Sequence, residues 1–249
     1  MEKFMLCTLM LFVMTRFVHV NGKILYLGSK CSQTRNTTGN YITIYQANLK
    51  TLLDSLANNS PLQGGFMNTT IGTGSNQVYG LAWCRADVSP TTCSKCLNET
   101  IRVPLRDCPD SKGLVIWSSL CSLRFSNESF FGELWNRSSS SGYGRHTLDE
   151  ASVFSRGFSM MQALGRNVSN QALMFDTGVI DVGNDGKRYG LGQCSRDLSK
   201  FDCEKCLEKL LVIYQRFVLN RTGWEMLGVS CGLWYDDVKF YDNDSGLTT

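Results

Sequence analysis

Histidine is almost missing from this 249-residue chain: His19 and His146 are the only two. An imidazole-rich zinc site or a His-activated nucleophile therefore has little to draw on. An excess of one charge is missing as well. Of 25 basic and 22 acidic residues, segment 1–22 holds Lys3, Arg16 and Glu2, so 23 and 21 remain beyond it, a net +2. That balance, with no basic stripe interleaved with aromatics, argues against a nucleic-acid or anionic-membrane partner. Long hydrophobic runs are scarce: the apolar stretch from Phe4 to Met14 is far shorter than the ~20 residues a bilayer requires, and no apolar tail precedes Thr249. The mature chain is expected to have no membrane span.

Cysteine is what the chain has in quantity, eleven in all. Lys3, the apolar run after it and Val20-Asn21-Gly22 read as a secretory signal peptide, residues 1–22. Cleavage there removes Cys7 and leaves ten cysteines, an even number suited to disulfides in an oxidising compartment. Nine Asn-x-Ser/Thr sequons point the same way: Asn36, Asn58, Asn68, Asn98, Asn127, Asn136, Asn167, Asn220 and Asn243.

The cysteines also repeat. Cys84, Cys93 and Cys96 recur at Cys194, Cys203 and Cys206, each shifted by 110 positions, and Cys121 recurs at Cys231 by the same shift. The text "YGLAWCRADVSPTTCSKCL" matches "YGLGQCSRDLSKFDCEKCL". The chain is thus two copies of one module. We place module one at 23–131, a Ser/Gly-rich linker at 132–146, module two at 147–244 and a tail at 245–249.

In each copy, apolar residues at helical spacing precede short strand-like stretches. Tyr45, Leu49, Leu52, Leu53 and Leu56 form one such face, and Phe154, Phe158, Met161 and Leu164 or Gly165 the other. A second helix is expected to begin near Thr92 or Asp202 as cap, to carry the Cys-x2-Cys pair inward and, in module one, to end at Pro104. Leu114–Phe131 and Trp224–Tyr241 alternate like paired antiparallel strands, an alternation that turns Trp234 outward. The fold class predicted is α+β: two helices on a small antiparallel sheet, twice.

Cys93-x2-Cys96 and Cys203-x2-Cys206 admit redox and zinc readings, but the secretory context and the scarcity of histidine favour structural disulfides. Cys31 and Cys108 have no counterparts in copy two, where Ser141 and Val218 stand. Their joint absence implies that Cys31 bonds Cys108. Spacing alone leaves three pairings open for Cys84, Cys93, Cys96 and Cys121.

The C-x8-C-x2-C core, the Tyr-Gly-Leu before it and the tandem layout resemble the plant cysteine-rich repeat secretory proteins, built from ginkbilobin-homologous modules. The resemblance implies bridges Cys31–Cys108, Cys84–Cys93, Cys96–Cys121, Cys194–Cys203 and Cys206–Cys231, and about five strands per sheet. It implies a secreted, non-enzymatic binding protein of the apoplast in defence or stress. The partner would be an extracellular protein or glycan, or a second copy, with no cofactor or metal. The alternatives are a mannose-type antifungal lectin and a soluble counterpart of a receptor-kinase or plasmodesmatal ectodomain. The family's sugar contacts fall on Ser32, Val115 and Ser126 in module one and on Gly142, Glu225 and Asp236 in module two. Of these only Asp236 keeps an acidic acceptor at the matching position, so any sugar binding is expected in module two alone. Asp236/Asp237 and Asp149/Glu150 read as neighbours on surface stretches rather than carboxylates facing across a cleft. Lacking a Cys31–Cys108 equivalent, module two is expected to be the less stable half.

Overall fold

The structure, a computed structural model, describes residues 24–32, 40–103, 108, 111–135, 139–142, 149–217 and 220–241. The signal segment, His146, Pro104 and the sequons Asn36, Asn136 and Asn243 lie outside the described residues.

Module one runs β1 (Tyr26–Cys31), α1 (Asn40–Asn59), β2 (Phe66–Ile71), β3 (Val78–Cys84), α2 (Pro90–Thr100), β4 (Gly113–Ser118) and β5 (Cys121–Ser126). Module two runs β6 (Ser139–Gly142), α3 (Ala151–Val168), β7 (Phe175–Asp181), β8 (Lys187–Cys194), α4 (Lys200–Phe217), β9 (Trp224–Gly228) and β10 (Cys231–Asp236). Each module is α+β, two helices on one five-stranded sheet, ordered β1-β4-β5-β3-β2 and β6-β9-β10-β8-β7. Every recorded strand pairing is antiparallel.

The helical stripe Tyr45, Leu49, Leu52, Leu53 and Leu56 is buried against the sheet, as a 3.6-residue period requires. The glycine of Tyr-Gly-Leu explains how closely the helix approaches. A Cβ on Gly80 would sit 2.4 Å from Leu52 Cδ2, and one on Gly190 would sit 2.5 Å from Met161 Sδ. A side chain at either position would force the Leu52 or Met161 side chain to move.

The cysteine spacing has a geometric reason. Cys84 on β3 and Cys121 on β5 are directly paired across the ladder, and Cys93 and Cys96 share one face of α2, three residues apart. The disulfides Cys84–Cys93 and Cys96–Cys121 therefore staple one helix face to two adjacent strands. Cys194–Cys203 and Cys206–Cys231 repeat this on β8, α4 and β10, and Cys31–Cys108 is the fifth bridge. All ten cysteines beyond Cys7 are thus consumed. The protein without residues 1–22 is expected to gain no adduct when alkylated without reductant; one adduct per chain by intact mass would contradict this pairing.

Three expectations need correction. The helix caps are Ser89 and Ser199, not Thr92 and Asp202. Ser89 Oγ accepts from Thr92 N–H at 3.2 Å and Ser199 Oγ from Asp202 N–H at 3.1 Å. Thr92 and Asp202 answer from the third helical position, and the side chains pair as Ser89 Oγ with Thr92 Oγ1 and Ser199 Oγ with Asp202 Oδ2. Second, part of the proposed linker 132–146 is ordered sheet: Ser139–Gly142 pairs with β9 from Ser139↔Gly228 to Gly142↔Glu225. Backbone pairing of this kind requires no apolar alternation, so serines and a glycine can supply an edge strand. Third, Trp234 leaves its own helices as alternation demands, yet it is only 5% exposed.

What covers Trp234 is the other module. Leu81, Trp83, Val115 and Trp117 form the face of sheet one turned from its helices. They pack in one cluster with Leu191, Leu227, Val229 and Trp234 of module two. Polar groups lock the two faces together. The buried Gln193 amide donates to Cys84 O and accepts from Ala86 N–H, both at 2.9 Å. Trp83 Nε1 donates to Val229 O at 3.3 Å, and Arg196 donates to Gly64 O at 2.7 Å. The modules form one body with a third, shared core.

Candidate functional site

The same cavity occurs once in each module, at the end of the β4–β5 and β9–β10 pairs. The module-one cavity measures ≈ 290 Å³ and the module-two cavity ≈ 370 Å³. Their linings correspond through the 110-residue shift. Val115, Arg124 and Ser126 of the first become Glu225, Trp234 and Asp236 of the second. Val115 pairs with Arg124 and Glu225 with Trp234 across the respective ladders, so the register sets both constellations.

The copies have diverged in charge at this shared place. In module one, Lys30 and Arg124 line the cavity and, among the described residues, no carboxylate does. The Arg124 guanidinium lies 3.7 Å from the Phe130 ring centroid and 4.3 Å from that of Trp135. Burial pushes its pKa down to about 10, against the pull of Glu133 and Asp197. In module two, Glu225 and Asp236 line the cavity with Trp234, Phe240 and, from module one, Arg85. Arg85 is held bidentately by Asp87 at 2.6 and 2.8 Å, and donates to Phe240 O at 3.2 Å. The chain after β10 thereby crosses to module one and closes one wall.

Burial raises the Glu225 carboxyl above the usual carboxylate range, partly opposed by Arg85 and the Trp234 indole. An acid with a raised folded pKa supports the fold below its unfolded pKa, and that support is lost as pH rises through the folded pKa. Glu225→Gln is therefore expected to stabilise the protein at pH 7 and to have little effect near pH 4. Urea unfolding at the two pH values checks this; equal effects at both would contradict it.

The structure gathers the positions singled out from sequence. Ser32, Val115 and Ser126 line the first cavity; Glu225 and Asp236 line the second. Gly142 on β6 is the ladder partner of Glu225. Asp236 Oδ1 accepts from Val238 N–H at 2.9 Å. Sequence reading missed Arg124 and Arg85. Setting the two copies side by side would have exposed Arg124 against Trp234, a charge traded for a ring.

Asp149 also departs from expectation. It is buried rather than on a surface stretch, and accepts from Arg188 Nε at 3.0 Å and Tyr235 OH at 3.1 Å. Among the sequons, Asn58, Asn68, Asn98, Asn127 and Asn167 are exposed. Asn220 is half-buried, and its amide donates to Asp149 O at 2.7 Å. Among the described residues no group of three or more His, Cys, Asp or Glu could hold a metal ion, and no helix is long and apolar enough to cross a membrane.

Two disulfide-stapled α+β modules, fused through their sheet faces and each carrying an equivalent cavity, define a tandem cysteine-rich repeat protein. The chain belongs to the salt stress response/antifungal family, whose profile matches residues 30–128 and again 144–238. It is 32% identical to an antimicrobial ginkbilobin-2-like protein of Castanea crenata, over 80% of this chain and 82% of that one. It is 29% identical to cysteine-rich repeat secretory protein 38 of Arabidopsis thaliana, over 86% and 85%. Cysteine-rich receptor-like protein kinase 6 of Arabidopsis thaliana is 30% identical, but the match spans only 33% of its length. In fold it is similar to the tandem DUF26 ectodomain of the Arabidopsis thaliana cysteine-rich receptor-like protein PDLP8. That match has TM-score 0.68 and 23% identity, covering 85% of this chain and 98% of that one.

Proposed function

We propose that this protein is a secreted, glycosylated, non-enzymatic recognition protein of the plant apoplast, active in defence or stress and binding extracellular glycans or proteins through its two cavities. The observation that carries this reading is the pair of equivalent cavities, lined by different charges, on one rigid body. Binding needs pre-formed concave sites with a few convergent polar groups, and the shared core with Gln193 holds both in fixed relation. The antimicrobial and secretory names of the relatives agree with it. An enzyme would need a nucleophile–base pair or two carboxylates across a cleft. Here Asp149 is consumed by Arg188, and Glu225 and Asp236 share their cavity with an already paired Arg85.

The test is an array of neutral, acidic and amino glycans probed with the secreted full chain, beside variants whose cavities are filled, Ser126→Trp and Gly223→Trp. Retention of at least one glycan class, lost on filling a cavity and without product formation, is the expected result. Turnover of a bound glycan, or binding indifferent to both filled cavities, would overturn the reading.

A further inference from the structure

We propose that the module-one cavity takes a carboxylate carried on a small hydroxylated ring, a sugar acid of hexuronate type. This rests on the recognition reading above and names its ligand class for one module. Arg124 is central. Its two faces are covered by Phe130 and Trp135, which leaves the N–H edges as its outlet. Among the described residues those edges make no hydrogen bond. A guanidinium held flat offers a two-pronged donor that matches the two oxygens of a carboxylate. Removing such a group from water without a partner is costly, and the downward shift of its pKa reflects that cost.

Trp135, Ser126 and Lys30 of the same lining can also donate. Trp135 Nε1 is buried with no partner among the described residues. Ser126 Oγ accepts from Glu128 N–H at 3.1 Å, which leaves its own proton to donate. Lys30 adds positive charge to the lining. Glu133 and Asp197 act on Arg124 electrostatically but do not line the cavity, so they keep the guanidinium charged without filling the ligand's place. A volume of ≈ 290 Å³ suits a single sugar ring, at the lower end of small-ligand sites, about 300 Å³. The indole of Trp135 offers an apolar wall for such a ring.

Module two supplies the contrast. At the equivalent places it has Trp234 for Arg124, Asp236 for Ser126 and Glu225 for Val115. Two carboxylates there repel an anion that module one attracts. Arg124 and Trp135, which select the ligand, are not among the positions carried over from the family's mannose contacts.

The experiment uses the full secreted chain with ¹⁵N-labelled tryptophan and titrates glucuronate, glucose and inorganic sulfate separately. The Trp135 indole signal is assigned with Trp135→Phe. Glucuronate is expected to shift that signal with at least tenfold higher affinity than glucose or sulfate. Ser126→Asp, which installs the module-two residue at a half-exposed position, is expected to weaken glucuronate at least tenfold. Arg124→Lys should do the same, since it keeps charge and loses the planar fork; should it fail to fold, Ser126→Asp carries the test. Equal affinity for glucose or sulfate, no glucuronate response at Trp135, or indifference to Ser126→Asp would each overturn the inference. If the inference fails while the array still finds a ligand displaced by a filled cavity, the recognition reading stands alone.

Discussion

Trp83→Ala is expected to destabilise the protein by about 3–5 kcal/mol, the usual range for truncating a large buried aromatic, and to damage both modules at once. Trp83 is 3% exposed and lies on the side of β3 turned away from α1 and α2, so its own module's helices do not cover it. Its neighbours are the shared cluster, and its indole N–H donates across the junction to Val229 O. Truncation removes apolar contact from two sheets and leaves a buried carbonyl without its donor. Urea unfolding followed separately by tryptophan fluorescence and far-UV circular dichroism should show one coincident transition in the wild type. In the variant, the midpoint should fall and the two probes should diverge, since the shared core is what makes the modules unfold together. A loss below about 1 kcal/mol with coincident probes would show that each module holds its own stability. By the same argument, either module expressed alone exposes Trp83 and Trp117 or Trp234 and Leu227, a patch of the kind that drives association.

How far the sequence could be read depends on where the determining contact lies. The helix stripes, the Tyr-Gly-Leu strand and the cysteine staples are local to one module; the strand and the cysteines repeat with the 110-residue shift and the helix stripe with 109, so periodicity and spacing carry them. The junction has no such signature. Alternation shows that Trp234 leaves its own helices, but only the partner sheet decides whether that face meets water or Trp83. β6 pairs with β9 through its backbone, and Ser139-Ser140-Ser141-Gly142 carries no sequence pattern to reveal it. The cap reading went to Thr92 and Asp202 because a Ser-x-x-Thr or Ser-x-x-Asp box has a capable side chain at each end; the first of the two is the true cap. For the cavities, single positions were legible and the constellation was not. Arg124 becomes conspicuous only once Phe130 and Trp135, from the segment after β5, close over it.

Asp149→Ala is expected to cost module two about 3–5 kcal/mol, because it strands a buried arginine without its counter-charge. Arg188 and Asp149 are 5% and 4% exposed. Hydrogen bonding to Asp149 is the largest influence holding the Arg188 guanidinium above its ordinary pKa. The same carboxylate receives Tyr235 OH, while Asp149 and Asn220 exchange two 2.7 Å hydrogen bonds, Asp149 N–H to Asn220 O and Asn220 Nδ2 to Asp149 O. This knot ties the lead-in to α3 to β8, β10 and the segment before β9. Module one ties its first strand to the segment before β4 with Cys31–Cys108 instead. Closing a loop with a sequence separation of 77 stabilises by about 4–5 kcal/mol on chain-entropy arguments, so the two devices are of similar size. Module two therefore does not have to be the weaker half for want of a bridge. Removing the bridge (Cys31→Ser with Cys108→Ser) and removing the knot (Asp149→Ala) should lower the urea midpoint of the full chain by comparable amounts. If Asp149→Ala costs under 1 kcal/mol while the cysteine pair costs its full share, the polar knot is not the counterpart of the disulfide, and module two owes its stability to the shared core.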